Sequence, residues 1–293
     1  MLRPRVLPSS PESKGALEHS LLPALDPSSH PWIQLRETAV STVNAMHYVQ
    51  TVELPAVLGS MEGLEAAVPQ FTDQQEAIAI GSQLAEFSER VSAAERAAVA
   101  DCLLLAQLAA NKATEQSPDL MAWYRKYVDV LQGVGWTVQG MNLEEQQVGV
   151  SEAHVHNAII PVLTAMLGPA GMAASMVVKV LDGLQEMDRS TPWITLFSRA
   201  SQHASGAKFQ LGFVDAGTGD APDLGVRLVA AAVDAKGTVS QVLFFKFTGQ
   251  QAHLKTGQTQ LSIVRTRLDA IKSAVADRVN PFLASNIAKI DLG

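Results

Sequence analysis

The chain of 293 residues is 47% hydrophobic and 17% charged, with a formal net charge of −7. That size and balance suit one large globular domain or two ordinary ones, exclude disorder over most of the length, and leave no basic face for displacing counterions from nucleic acid. Cys102 is the single cysteine, so neither an intramolecular disulfide nor a cysteine-built metal site can form.

In chain order, residues 1–31 hold Pro4, Pro8, Pro11, Pro23, Pro27 and Pro31 among serines and predict a flexible arm. Arg3 and Arg5 are not followed by a continuous apolar core, so no cleavable secretory signal is expected, and a cytoplasmic origin with leaderless export is the expectation. From Trp32 to about Leu58, Ile33, Leu35, Val40, Val43, Met46, Val49 and Val52 predict a first helix. Thr72-Asp-Gln-Gln75 and Ser92-Ala-Ala-Glu95 both fit the capping box and predict helices over about 73–90 and 93–113. Cys102 falls in the apolar run of the second and reads as a small buried hydrophobe, with acylation or oxidation as its alternative role. Ser117-Pro118-Asp119 opens a further helix through Trp123, Tyr124, Tyr127, Val128 and Leu131, stopped by Gly133 and Gly135.

Gly135–Met141 reads as a short β interlude. Then comes Asn157–Val178, which carries no charged residue. Its length alone would cross a bilayer, but Pro161 and Gly168-Pro169-Ala170-Gly171 break it into two arms. Ile159, Ile160, Leu163, Met166 and Leu167 repeat at helical spacing in the first arm, and Met172, Met176, Val177, Val180, Leu181 and Leu184 in the second. The pattern is a helical hairpin over 157–184, either permanent core or an element able to leave it for lipid. After Asp188 the signal changes to short β-branched or aromatic runs: 193–197, 208–214, 226–233, 241–247 and a hairpin of 253–255 with 260–263 about Thr256-Gly257. Strands following strands imply antiparallel pairing. Arg265–Val279, with Leu268, Ile271, Val275 and Val279 on one side, is a covering helix ended by Asn280-Pro281.

The expected architecture is α+β: an N-terminal helical bundle over 32–188 with a central apolar hairpin, then an antiparallel β module over 189–293 with a covering helix. In outline this layout is similar to membrane-active toxins that store an apolar helix pair in a soluble form.

Few residues offer chemistry. His154 and His156 point apart in a helix, even with Glu144, Glu145 and Glu152 near in sequence, so no metal site is expected. Asp215, Asp220 and Asp223, among Gly217, Gly219 and Pro222, lack calcium-loop spacing and suit turns. Ser198 and His203 lack a nucleophile elbow, which leaves a hydrolase as the third reading and a non-enzyme as the expectation. Trp123, Tyr124, Arg125, Lys126 and Tyr127 mix rings and cations as a membrane-interface belt does, or as a helix packed on a sheet does. Gly168, Pro169 and Gly171, with the apolar residues beside them, are the insertion candidates. The first reading is a bacterial membrane-active effector or pore-forming toxin without cofactor, whose partners are a lipid membrane or membrane receptor and, in a pore, further copies of itself. The second is a cytosolic assembly protein whose residues 1–31 dock on a protein partner.

Overall fold

The structure, a computed structural model, describes residues 41–57, 70–115, 119–148, 155–183, 190–203, 206–217, 223–235 and 252–290. The expected arm at 1–31 and strand at 241–247 lie outside these residues.

The described strands are β1 (Glu76–Ile80), β2 (Gln83–Phe87), β3 (Thr137–Val148), β4 (Gln202–His203), β5 (Gly206–Ala216), β6 (Leu224–Ala235), β7 (Ala252–Ile263) and β8 (Ile287–Lys289). They form one sheet in the order β3-β7-β6-β5-β2-β1-β8, with β4 beside β5. The described pairings are antiparallel except β2 with β5, which is parallel.

Side chains alternate along each strand, so each face of the sheet carries its own core. On the first face Ile78, Ile80, Phe87, Val214, Leu228 and Leu261 meet α1 (Thr42–Thr51), α2 (Ala93–Ala113), α3 (Leu120–Val134) and α7 (Arg265–Val279). On the second face Ala77, Leu84, Leu211, Val229, Val233 and Leu254 meet α4 (Val155–Ala174), α5 (Met176–Gly183) and α6 (Pro192–Ser201). α8 (Leu283–Asn286) leads into β8.

The mixed α+β class stands, and the order of its parts is corrected. β1 and β2 come from a stretch expected to be helical, β3 grows from the expected β interlude, and the sheet is not confined to residues after 188. The predicted helix at 73–90 is instead the β1–β2 hairpin, turned at Gly81 with φ 51°. Tertiary partners override its capping pattern. The amide of Thr72 donates to Glu76 Oε1 at 3.1 Å, and the buried Arg96 guanidinium of α2 donates to the carbonyls of Thr72, Gln74 and Ser88 and to Glu76 Oε1. Gln107, also in α2, holds the turn by donating to Ile80 O at 2.6 Å and accepting from the Ser82 amide at 3.0 Å.

Three further expectations change. Residues 193–197 form the middle of α6, entered at Thr191 with Pro192 in its first turn. Residues 252–263 are one continuous strand, because Gly257 leaves room for the Tyr124 ring; a Cβ there would lie 2.5 Å from Tyr124 Cε1. The interlude at 135–141 extends to Val148 and pairs with β7 along its length. α1 ends at Thr51, short of the boundary expected near Leu58, while the boundaries that follow match. Glu95 accepts from the Ser92 amide at the start of α2, Gly135 ends α3 with φ 112°, and Leu268, Ile271, Val275 and Val279 are the buried residues of α7. Asp119 caps α3 by accepting from the Met121 amide, and Ser117 lies outside the described residues.

Candidate functional site

The uncharged stretch runs through α4 and α5 on the second face. Gly168 has φ 70° and ψ 168°, a conformation suited to glycine, and it splits α4 into two helical pieces just before Pro169. Ser175 makes a second break, and its Oγ accepts from the Val178 amide at 3.2 Å to cap α5. Rather than resting mainly on each other, α4 contacts β6 while α5 contacts β1 and β2. Among the described residues no helix is long and apolar enough to cross a membrane.

Burial divides the insertion candidates. Ile159 and Leu163 enter the second core with Val177, Val180 and Leu181, while Met166, Met172 and Met176 pack at its margin. Ile160, Leu167, Gly168 and Gly171 are half-buried, and Pro169 is exposed. Open space surrounds the position a Gly168 Cβ would take. The result is an elbow whose surface carries no charge up to Val178, with Lys179 of α5 exposed just beyond it, on a well-anchored inner face.

Glu86 of β2 anchors it. This buried carboxylate accepts from Ser175 Oγ at 2.6 Å and the Val177 amide at 3.1 Å through one oxygen, and from Gln75 Nε2 at 2.6 Å through the other. Gln75 also donates to Ala174 O at 3.2 Å. The Val177 amide at the start of α5 thus gives this carboxylate a donor from a helix N-terminus. Glu86 was not predictable as a site from the sequence pattern alone, although a carboxylate between Ala85 and Phe87 is its one visible signal.

The other candidates are scattered. Trp123, Tyr124 and Tyr127 are buried in the first core, where the indole of Trp123 stacks on Tyr127 at 5.5 Å. Tyr124 Oη donates to Thr259 Oγ1 at 2.7 Å and Tyr127 Oη to Gln83 Oε1 at 2.9 Å. Arg125 is half exposed at its side chain and pairs with Asp119 at 2.8 Å, and Lys126 is partly exposed. Lys208 Nζ lies 4.3 Å from the Trp123 ring centre, and burial pushes its pKa down to about 7. Cys102 is fully buried in α2, and burial pushes its thiol up to about 12.

Asp215 is held by the Arg90 guanidinium and by Ser88 Oγ at 2.5 Å. Asp223 is exposed near it, while Asp220 and His154 lie outside the described residues. His156 is in the first turn of α4, His203 ends β4, and Ser198 lies within α6. Glu144 accepts from Asn142 at 2.7 Å; Glu152 is not among the described residues. Among the described residues no group of three His, Cys, Asp or Glu is placed to hold a metal.

No family model and no curated protein matches the chain. Among solved structures it is similar to that of the Evf virulence factor, at 15% identity and a TM-score of 0.35, covering 84% of this chain and 91% of that one. It is also similar to a delta-endotoxin, at 10% identity and a TM-score of 0.29, covering 73% of this chain and 92% of that one.

Proposed function

We propose that the protein is a membrane-active effector that meets lipid through the elbow of α4 and α5. The observation that carries this reading is the elbow's surface: Met166, Leu167, Pro169 and Met172 lie partly or fully exposed within a stretch that holds no charged residue from Asn157 to Val178. A kinked pair of short helices suits shallow burial in the headgroup and upper acyl region, where apolar area drives binding without a spanning rod. Glu86 keeps the elbow seated on the sheet in the lipid-free state. Deeper insertion and pore assembly require that seat to be released, which makes the element two-state. Pure protein incubated with dye-loaded liposomes should float with lipid and release dye. Absence of both flotation and release, at neutral and at acidic pH alike, would overturn the proposal.

A further inference from the structure

Away from the elbow, the same face of the sheet carries a second feature. Beyond Phe213, where the second core ends, the strands β5, β6, β7 and β3 floor a groove of about 620 Å³. Phe213, Arg227 and Gln260 sit side by side across three strands, and Asp215, Gly225 and Ser262 form the adjacent row. Gln139 closes one side by donating to Ser262 Oγ at 3.1 Å, and Arg90 closes another through its pair with Asp215. Gly225 makes the floor low: a Cβ there would meet only the carbonyls of Asp215 and Leu261, at 3.8 and 3.9 Å.

We propose that this groove binds a neutral saccharide. Among its described lining residues the charges balance. Arg90 is matched by Asp215, and Arg227, which has no ion-pair partner among the described residues, faces a lining that also holds Asp223. An anion would gain Arg227 and meet two carboxylates, so charge gives it little advantage. A polyol, by contrast, uses every described group: guanidinium and amide N–H groups donate to its hydroxyls, carboxylate and amide oxygens accept from them, and Phe213 at the groove's edge adds apolar contact for the ring's C–H side. The volume lies in the range of small-molecule sites and holds one or two sugar rings.

Saturation-transfer NMR of the full chain tests the assignment, with glucose, galactose, mannose, N-acetylglucosamine and N-acetylgalactosamine as neutral probes and glucuronate as the charged one. Inorganic phosphate is followed by its own phosphorus line width. At least one neutral sugar should bind with a Kd of about 1 mM or tighter, and glucuronate and phosphate at least tenfold more weakly. Gly225→Val raises the floor without a backbone clash, and Arg227→Ala removes an exposed donor; each should weaken the bound sugar tenfold or more at an unchanged melting temperature. Failure of all five sugars to bind, tighter binding of either anion, or a sugar bound equally by wild type and Arg227→Ala would overturn the proposal. Lipid flotation should not change in either variant, which keeps this outcome separate from that of the elbow.

Discussion

Glu86 Oε2 lies 2.6 Å from Ser175 Oγ, so a single carboxylate of β2 closes the break between α4 and α5 onto the sheet. Removing it takes the acceptor from the buried Ser175 hydroxyl and Val177 amide, while Gln75 keeps Ala174 O, and costs about 1–3 kcal/mol. Glu86→Ala should therefore lower stability by that order in urea titration and raise liposome flotation at equal protein concentration. Lower stability with flotation unchanged would separate the seat from lipid binding.

Arg96 is the second buried anchor, with its side chain fully enclosed and Glu76 Oε1 at 2.9 Å. Because it also gathers carbonyls from both ends of the β1–β2 hairpin, Arg96→Met leaves Glu76 and those carbonyls without their main donor. A loss of roughly 3–5 kcal/mol is expected from chemical denaturation, the range for breaking one side of a buried pair. A loss below 1 kcal/mol would show that the hairpin forms without it.

How much of this the sequence reveals depends on where each element finds its partners. α2 and α7 are legible because Ser92 with Glu95 and the Leu268–Val279 stripe are local patterns. β1 and β2 are not, since both faces of Glu76–Ile80 and Gln83–Phe87 are buried and no polar alternation marks them, while the groups that override Thr72–Gln75 come from α2. Trp193–Phe197 has strand-like composition, and only Pro192 at the start signals α6. Thr256-Gly257 resembles a turn because the need for glycine, the Tyr124 ring, lies 133 positions away in sequence, between residues 124 and 257. Likewise the uncharged stretch at 157–178 is visible in one dimension, whereas its Glu86 seat and the sheet groove exist only after distant strands pair.

Lys208 gives a pH signature. Burial lowers its folded pKa from 10.5 to about 7, so between these values the unfolded chain binds more protons and stability rises with pH. The contribution is complete above 10.5 and is lost as pH falls through about 7. Lys208→Met should flatten the slope of unfolding free energy across pH 7–10 relative to wild type. An unchanged slope would mean that another group sets it.

Cys102 should be silent toward thiol reagents in the native protein, because its side chain is enclosed and its thiol is protonated at neutral pH. Ellman's reagent at pH 8 should react with one thiol per chain in guanidinium and with almost none under native conditions. Rapid native reaction would show that α2 opens readily and would revive the thiol as a modification site.

The elbow is the proposed lipid-binding element. Leu167 is half-buried beside the Gly168 break, so Leu167→Lys can hold its ammonium in water with little cost to the fold. In lipid the same charge is opposed by up to about 2.5–3.5 kcal/mol at full depth and less near the headgroups. The decisive measurement is flotation of Leu167→Lys on uncharged phosphatidylcholine liposomes, alongside its melting temperature. The elbow account predicts wild-type melting with lipid binding reduced tenfold or more; wild-type melting together with wild-type binding would contradict it.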